Sequence, residues 1–167
     1  LRFNDYRRFG YMRLIRTDQI YLQNGLKELG PEPLEISLSD FIALFRSSKR
    51  MIKPALLDQT FLAGLGNIYV DESLYRARIN PKKQADALST ERLTRLHGII
   101  QSLLRDAIKN AGTSVDSFAG VNGRPGGFQK YLKVYGREGE RCGHCGTIIK
   151  RIKIGSRSTH YCPRCQK

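Results

Sequence analysis

Four cysteines near the end of the chain constrain its fold more than any other feature. Cys142 and Cys145 form one C-x2-C pair and Cys162 and Cys165 a second, with sixteen residues between the pairs. That spacing suits a tetrahedral four-thiolate zinc site, in which each pair makes a tight knuckle with both sulfurs facing one ion. The stretch between them, GTIIKRIKIGSRSTHY, predicts a β-hairpin. Ile148, Ile149, Ile152 and Ile154 lead in, Gly155–Ser156 turn, and Thr159 and Tyr161 return. A ribbon this short buries no core of its own, so one structural Zn2+ would supply much of its folding energy. Two disulfides or a redox C-x2-C are the competing readings, but both suit a secreted or redox chain better, and no export signal is read here. His144 and His160 lie close to ligand positions, although four cysteines already complete the shell.

Charge indicates what such a ribbon meets. The net charge is +14, and it is uneven. From residue 117 onward there are eleven basic residues and only two acidic ones, Glu138 and Glu140. An excess of this size steers a protein toward polyanions. No apolar run approaches the length of a membrane span. No basic amphipathic helix with a broad apolar face favours a lipid surface, so no membrane partner is expected.

Upstream the pattern changes twice. Residues 1–22 alternate apolar and polar and read as strand, loop, strand, a hairpin too marginal to stand without another sheet. Asn24–Gly25 and GPEP at 30–33 mark a linker. Ser37 or Ser39 then caps a helix to about Ser48, with Phe41, Ile42, Leu44 and Phe45 as its apolar face. Pro54 opens a short helix over 55–59, and a helical run over 68–79 ends at Asn80–Pro81. Ser89 caps the longest helix, whose stripe is Leu93, Leu96, Ile100, Leu103, Leu104, Ala107 and Ile108. Asn110, Ala111 and Gly112 stop it. Residues 113–127 are rich in Gly, Ser and Asn and read as a long functional loop.

Several residues in this frame are candidates for chemistry. In GLGN at 64–67, Gly64 and Gly66 permit a sharp turn and Asn67 sits where a helix begins. Its side chain and the open backbone N–H groups suit a phosphate. The plainer alternative is a helix connection in which Gly serves φ and Asn only caps. Lys53, among apolar neighbours in MIKPALL, either projects into a pocket or is a solvated lysine at a helix start. Arg157, near the hairpin tip, suits a bidentate phosphate clamp. Asp71 and Glu72 are acids in a basic chain, and Glu72 reads as a buried capping residue rather than a general base. No Ser–His–Asp set, P-loop or dinucleotide fingerprint is present.

Taken in order, YRRFG (6–10), IKPALLDQ (52–59), GLGNIYVDESL (64–74), NPKKQA (80–85), GGFQKYLKVYGREGERC (126–142) and C-x2-CG…GSRSTHYCPRCQ (142–166) resemble formamidopyrimidine-DNA glycosylase, of the endonuclease VIII superfamily. The resemblance spans essentially the whole chain. It implies a mainly α fold, with a helix–two-turns–helix domain, then a four-cysteine zinc β-hairpin, and a short β-strand remnant at the N-terminus. The implied division is 1–24 as strands of a catalytic β-sandwich, 25–36 as linker, 37–133 as the helical DNA-binding domain with a flexible loop at 113–127, and 134–167 as the zinc hairpin. Arg7 would hydrogen-bond the base opposite a lesion, and Phe9, beside Arg8, would wedge into the stack left by a flipped base. Lys53, Asn67 and Arg157 would hold the kinked backbone.

The chain departs from that family in one respect. The family nucleophile is an N-terminal proline amine followed by a catalytic glutamate. It attacks the sugar carbon, expels the base and forms a Schiff base, and β- and δ-elimination then cut the strand. Here Leu1 and Arg2 stand first, and Pro31–Glu32 has its imino nitrogen in a peptide bond. Leu1 is therefore read as a cut edge, with no catalytic residue in this chain. The expectation is the DNA-binding portion of a bacterial, cytoplasmic and monomeric glycosylase/AP lyase for oxidised purines. It would bind double-stranded DNA containing oxidised bases or abasic sites, without excision. The alternative is a stand-alone zinc-ribbon nucleic-acid-binding module with no enzymatic parent.

Overall fold

The computed structural model describes residues 3, 5, 9–114 and 126–167. Four α-helices come first: α1 (Leu38–Arg46), α2 (Ile52–Leu57), α3 (Asn67–Ala77) and α4 (Thr90–Lys109). An antiparallel hairpin of β1 (Lys150–Ile154) and β2 (Arg157–Tyr161) closes the chain. Short 3-10 turns occupy Thr17–Leu22 and Phe128–Tyr131.

Local chemistry sets the helix ends. Ser37 Oγ accepts from the Asp40 amide at 3.1 Å and Ser89 Oγ from the Arg92 amide at 3.3 Å, so each serine satisfies an orphan first-turn donor. Helix α2 starts at Ile52 and ends at Leu57, earlier than the expected span. Pro54 then lies in the first turn, where its missing N–H costs no hydrogen bond. Helix α3 stops at Ala77, before Asn80–Pro81, because Arg78 takes a left-handed conformation at φ 57°.

The main core lies among the four helices. Phe41 and Phe45 of α1 pack with ring centroids 4.5 Å apart and planes tilted by 41°. They join Ile52 and Leu56 of α2, Val70 and Leu74 of α3, and Leu93, Leu96 and Ile100 of α4. The expected stripe of α4 holds through Ala107, which packs with Leu103 on Phe128, but Ile108 is exposed. Val134, Cys142, Ile149 and Cys162 form a second, small core in the ribbon.

The N-terminal strand remnant does not form among the described residues. Thr17–Leu22 is a 3-10 turn with no buried residue, and Phe9, Tyr11, Met12 and Leu14 are exposed. A strand needs a neighbour to take its backbone hydrogen bonds, and no described segment pairs with 9–16. Residues 30–36 instead lie against the helices, with the Gly30 amide on Gln59 O at 2.8 Å and Ile36 in the core.

Candidate metal centre and nucleic-acid interface

The four cysteine sulfurs lie within 4.8 Å of one another. Cys142 Sγ is 3.8 Å from Cys165 Sγ, and Cys145 Sγ is 3.4 Å from Cys162 Sγ. A regular tetrahedron of Zn–S bonds of about 2.3 Å has edges of about 3.8 Å, so the donor set fits zinc. All four are free thiols, which removes the two-disulfide reading. Tyr75 Oη lies 3.2 Å from Cys142 Sγ, placed to donate to a thiolate. Burial, with the cysteines beside it, pushes the Tyr75 hydroxyl well above the ordinary phenol range, so it stays a donor. The Thr147 hydroxyl and amide hold the Cys145 thiol down at about 6. His144 and His160 are not in the cluster: their rings face Arg78 and Asp71.

Helix α3 is what the ribbon docks on. Asp71, Glu72 and Ser73 are consecutive and all buried. Asp71 Oδ2 accepts the His160 amide of β2 at 2.8 Å, and Asp71 Oδ1 accepts from Lys53 Nζ at 2.6 Å. Glu72 Oε1 collects the amides of Lys133, Val134 and Tyr135 at 2.8, 2.8 and 3.1 Å. Glu72 is thus buried as expected, but it caps the segment entering the ribbon, not a helix. Two carboxylates on adjacent residues fix both the ribbon and its lead-in to one helix.

That docking gathers three of the expected residues. Ser158 O, on β2, accepts from Lys53 Nζ at 2.8 Å and from Asn67 Nδ2 at 3.0 Å. The neighbouring Arg157 lines a cavity of about 490 Å³ with Leu57, Gln59, Gly64, Leu65, Gly66 and Asn67. Lys53 is fully buried, so it lies beneath this cavity rather than on its wall. Burial pulls its pKa down and Asp71 opposes that shift.

The two glycines differ in purpose. Gly64 has φ 82°, and a Cβ there would meet Glu32 Oε2 at 3.0 Å. Its amide donates to Gln59 Oε1 at 2.8 Å, which pins the turn. Gly66 is the N-cap of α3 with an ordinary φ of −101°, no side chain caps that helix end, and a Cβ would meet open space. Its lack of a side chain leaves the helix N-terminus, with its orphan N–H groups and positive dipole end, open to an anion. Asn67 Oδ1 is buried without a partner among the described residues.

Arg7, Arg8 and residues 115–125 of the expected loop lie outside the described residues. Phe9 is described, 86% exposed, and not part of the cavity. Sequence reasoning missed Asp71 as the link between Lys53 and β2. The available signal was two adjacent acids inside an otherwise buried helical run. The Ser158 carbonyl left no signal, since every residue supplies one.

Comparison with known proteins agrees with this geometry. Residues 29–119 match the formamidopyrimidine-DNA glycosylase H2TH domain, and residues 139–167 match the zinc finger found in FPG and IleRS. The formamidopyrimidine-DNA glycosylase of Pelotomaculum thermopropionicum is 48% identical over all of this chain and 61% of its own length. That of Lactiplantibacillus plantarum is 47% identical over 98% of this chain and 60% of its own. The chain therefore spans about three-fifths of the length of these relatives. A structure of Lactococcus lactis Fpg with DNA containing an abasic site superposes with a TM-score of 0.90 at 42% identity, over 98% of this chain and 60% of that one. These matches take in the helical body as well as the ribbon, which disfavours a stand-alone zinc ribbon.

Proposed function

The chain belongs to the formamidopyrimidine-DNA glycosylase family through its H2TH domain, and from that membership we propose that it grips the DNA backbone for a base-excision repair enzyme. The whole protein, on this reading, is a DNA glycosylase/AP lyase of the bacterial cytoplasm that removes oxidised purines. Its partner is double-stranded DNA carrying oxidised bases or abasic sites. Residues 37–133 serve as the helical grip and 134–167 as the zinc hairpin.

The observation that carries this reading is the shared cavity of Asn67, Arg157 and the uncapped N-terminus of α3. A guanidinium, a carboxamide and first-turn amides are donors that suit one phosphate. Lys53, from below, is paired with Asp71 and holds the Ser158 carbonyl, which sets the position of Arg157. Arg7 and Phe9 act at the lesion itself, filling the gap behind an everted base.

The test is binding to a duplex with a stable abasic-site analogue, read by fluorescence anisotropy across a salt series. Arg157→Ala should weaken binding roughly tenfold, the loss of one charge-assisted contact. It should also reduce the slope of log affinity against log salt by about one. Unchanged affinity and slope, with helical content retained, refute the grip.

A further inference from the structure

A second basic cavity lies at the other end of the same two elements. Its volume is about 530 Å³, and its wall holds Arg78, Arg92, Arg95, Arg164 and Lys167, with His144 and the ligands Cys145 and Cys165. Asn67 begins α3 and Arg78 follows its end, and eleven helical residues span about 16 Å. Arg157 begins β2 and the zinc knuckle follows its end, and five strand residues again span about 16 Å. The two cavities are therefore separate sites.

None of the five cations is paired with an Asp or Glu among the described residues, and neither residue type lines the wall. Hydrogen bonds hold three of them in place. Arg95 Nη2 donates to Ala77 O at 2.6 Å, Arg92 Nη1 to Lys167 O at 3.2 Å, and Arg78 Nη2 lies 3.0 Å from His144 Nε2. A zinc–tetrathiolate centre has a formal charge of −2, which the four arginines alone still exceed by two. Helix dipoles explain only part of the cluster. Arg78, at the C-terminal end of α3, is favoured there, but Arg92 sits in the first turn of α4, where the positive dipole end opposes a cation. Arg78 also holds a left-handed φ of 57°, a conformation that glycine usually takes at a helix C-terminus. Like charges gathered around a concavity, one of them against its helix dipole, favour an anion between them.

We propose that this cavity is a second phosphate site, for a compact group with at least two negative charges. Arginine forks converging from three segments suit phosphate oxygens. Such a phosphate could be carried by a small molecule or by a DNA strand that runs past the first grip, and the two sources separate experimentally.

The probes are inorganic pyrophosphate, followed by calorimetry, and abasic-site duplexes of about 12 and about 30 base pairs, followed by anisotropy across salt. They are applied to the zinc-loaded protein and to Arg164→Glu, Arg92→Glu and Arg157→Ala. Zinc content and melting temperature confirm the fold of each variant. The expected result is saturable pyrophosphate binding that weakens roughly tenfold or more in Arg164→Glu and Arg92→Glu but not in Arg157→Ala. If pyrophosphate gives no heat but the same two variants weaken only the longer duplex, the phosphate belongs to DNA and the site stands. Pyrophosphate binding that ignores both substitutions overturns the proposal. So does the absence of any effect on either ligand in variants that retain zinc and fold.

Discussion

Asp71→Asn tests how the ribbon is held to the helices. Lys53 and Asp71 have fully buried side chains whose charged atoms are 2.6 Å apart. Asparagine keeps the shape and still offers Oδ1 to the His160 amide. Its Nδ2 then faces Lys53 Nζ, donor against donor, and the lysine charge is left with Ser158 O alone. Removing one partner of a buried ion pair costs about 3–5 kcal/mol. Lysine has an escape, which is to lose its proton. From an ordinary lysine pKa of about 10.4, deprotonation at pH 7 costs about 4.6 kcal/mol, which caps the loss. The cap falls by about 1.4 kcal/mol per pH unit, to about 1.9 kcal/mol at pH 9. The sign follows from linkage: the folded variant with neutral lysine binds one proton fewer than its unfolded chain, so its stability rises with pH in this range. Urea denaturation of the zinc-loaded protein should therefore show a loss of about 3–5 kcal/mol at pH 7 and less than about 2 kcal/mol at pH 9. Adding Lys53→Met should recover most of the loss, because no buried charge then remains. A loss below about 1 kcal/mol at pH 7, or an equal loss at both pH values, refutes the reasoning.

Two further outcomes follow from the same structure. Elemental analysis should find about one zinc per chain, and chelation should melt the ribbon while α1 to α4 keep their circular-dichroism signal, since the main core contains no ribbon residue. Gly64→Ala should cost about 1–2 kcal/mol of stability in a melt, because φ is 82° there, while Gly66→Ala, at an N-cap with open space for a Cβ, should cost less, about 0.5–1 kcal/mol, and weaken DNA binding as well.

Much of the fold was legible locally. Ser37 and Ser89 cap the expected helices, α4 follows its apolar stripe, and the hairpin turns at Gly155–Ser156 between β1 and β2. Gly155, with φ 58°, sits at the first central position of that turn, where the strand twist calls for glycine. The misses have separate causes. Strand alternation over 1–22 was real as a pattern, but a strand is completed by a neighbour, and none of the described segments supplies one. The start of α2 was placed late because Pro54 was taken as its first residue, although a first turn tolerates proline anywhere within it.

The sequence by itself determined the zinc knuckles, the capped helices, the family and the excess of positive charge. Each is written in residues a few positions apart or in composition. Only the tertiary structure decided that Lys53 is buried on Asp71, eighteen residues away, and that Asp71 receives the His160 amide, eighty-nine residues away. It also decided that Arg157 shares a cavity with Asn67 while Arg164 shares another with Arg78. The physical reason is separation. Caps, turns and stripes are satisfied within a turn or two of the chain. A buried charge or a cluster of cations is defined by whichever distant segments the core brings against it.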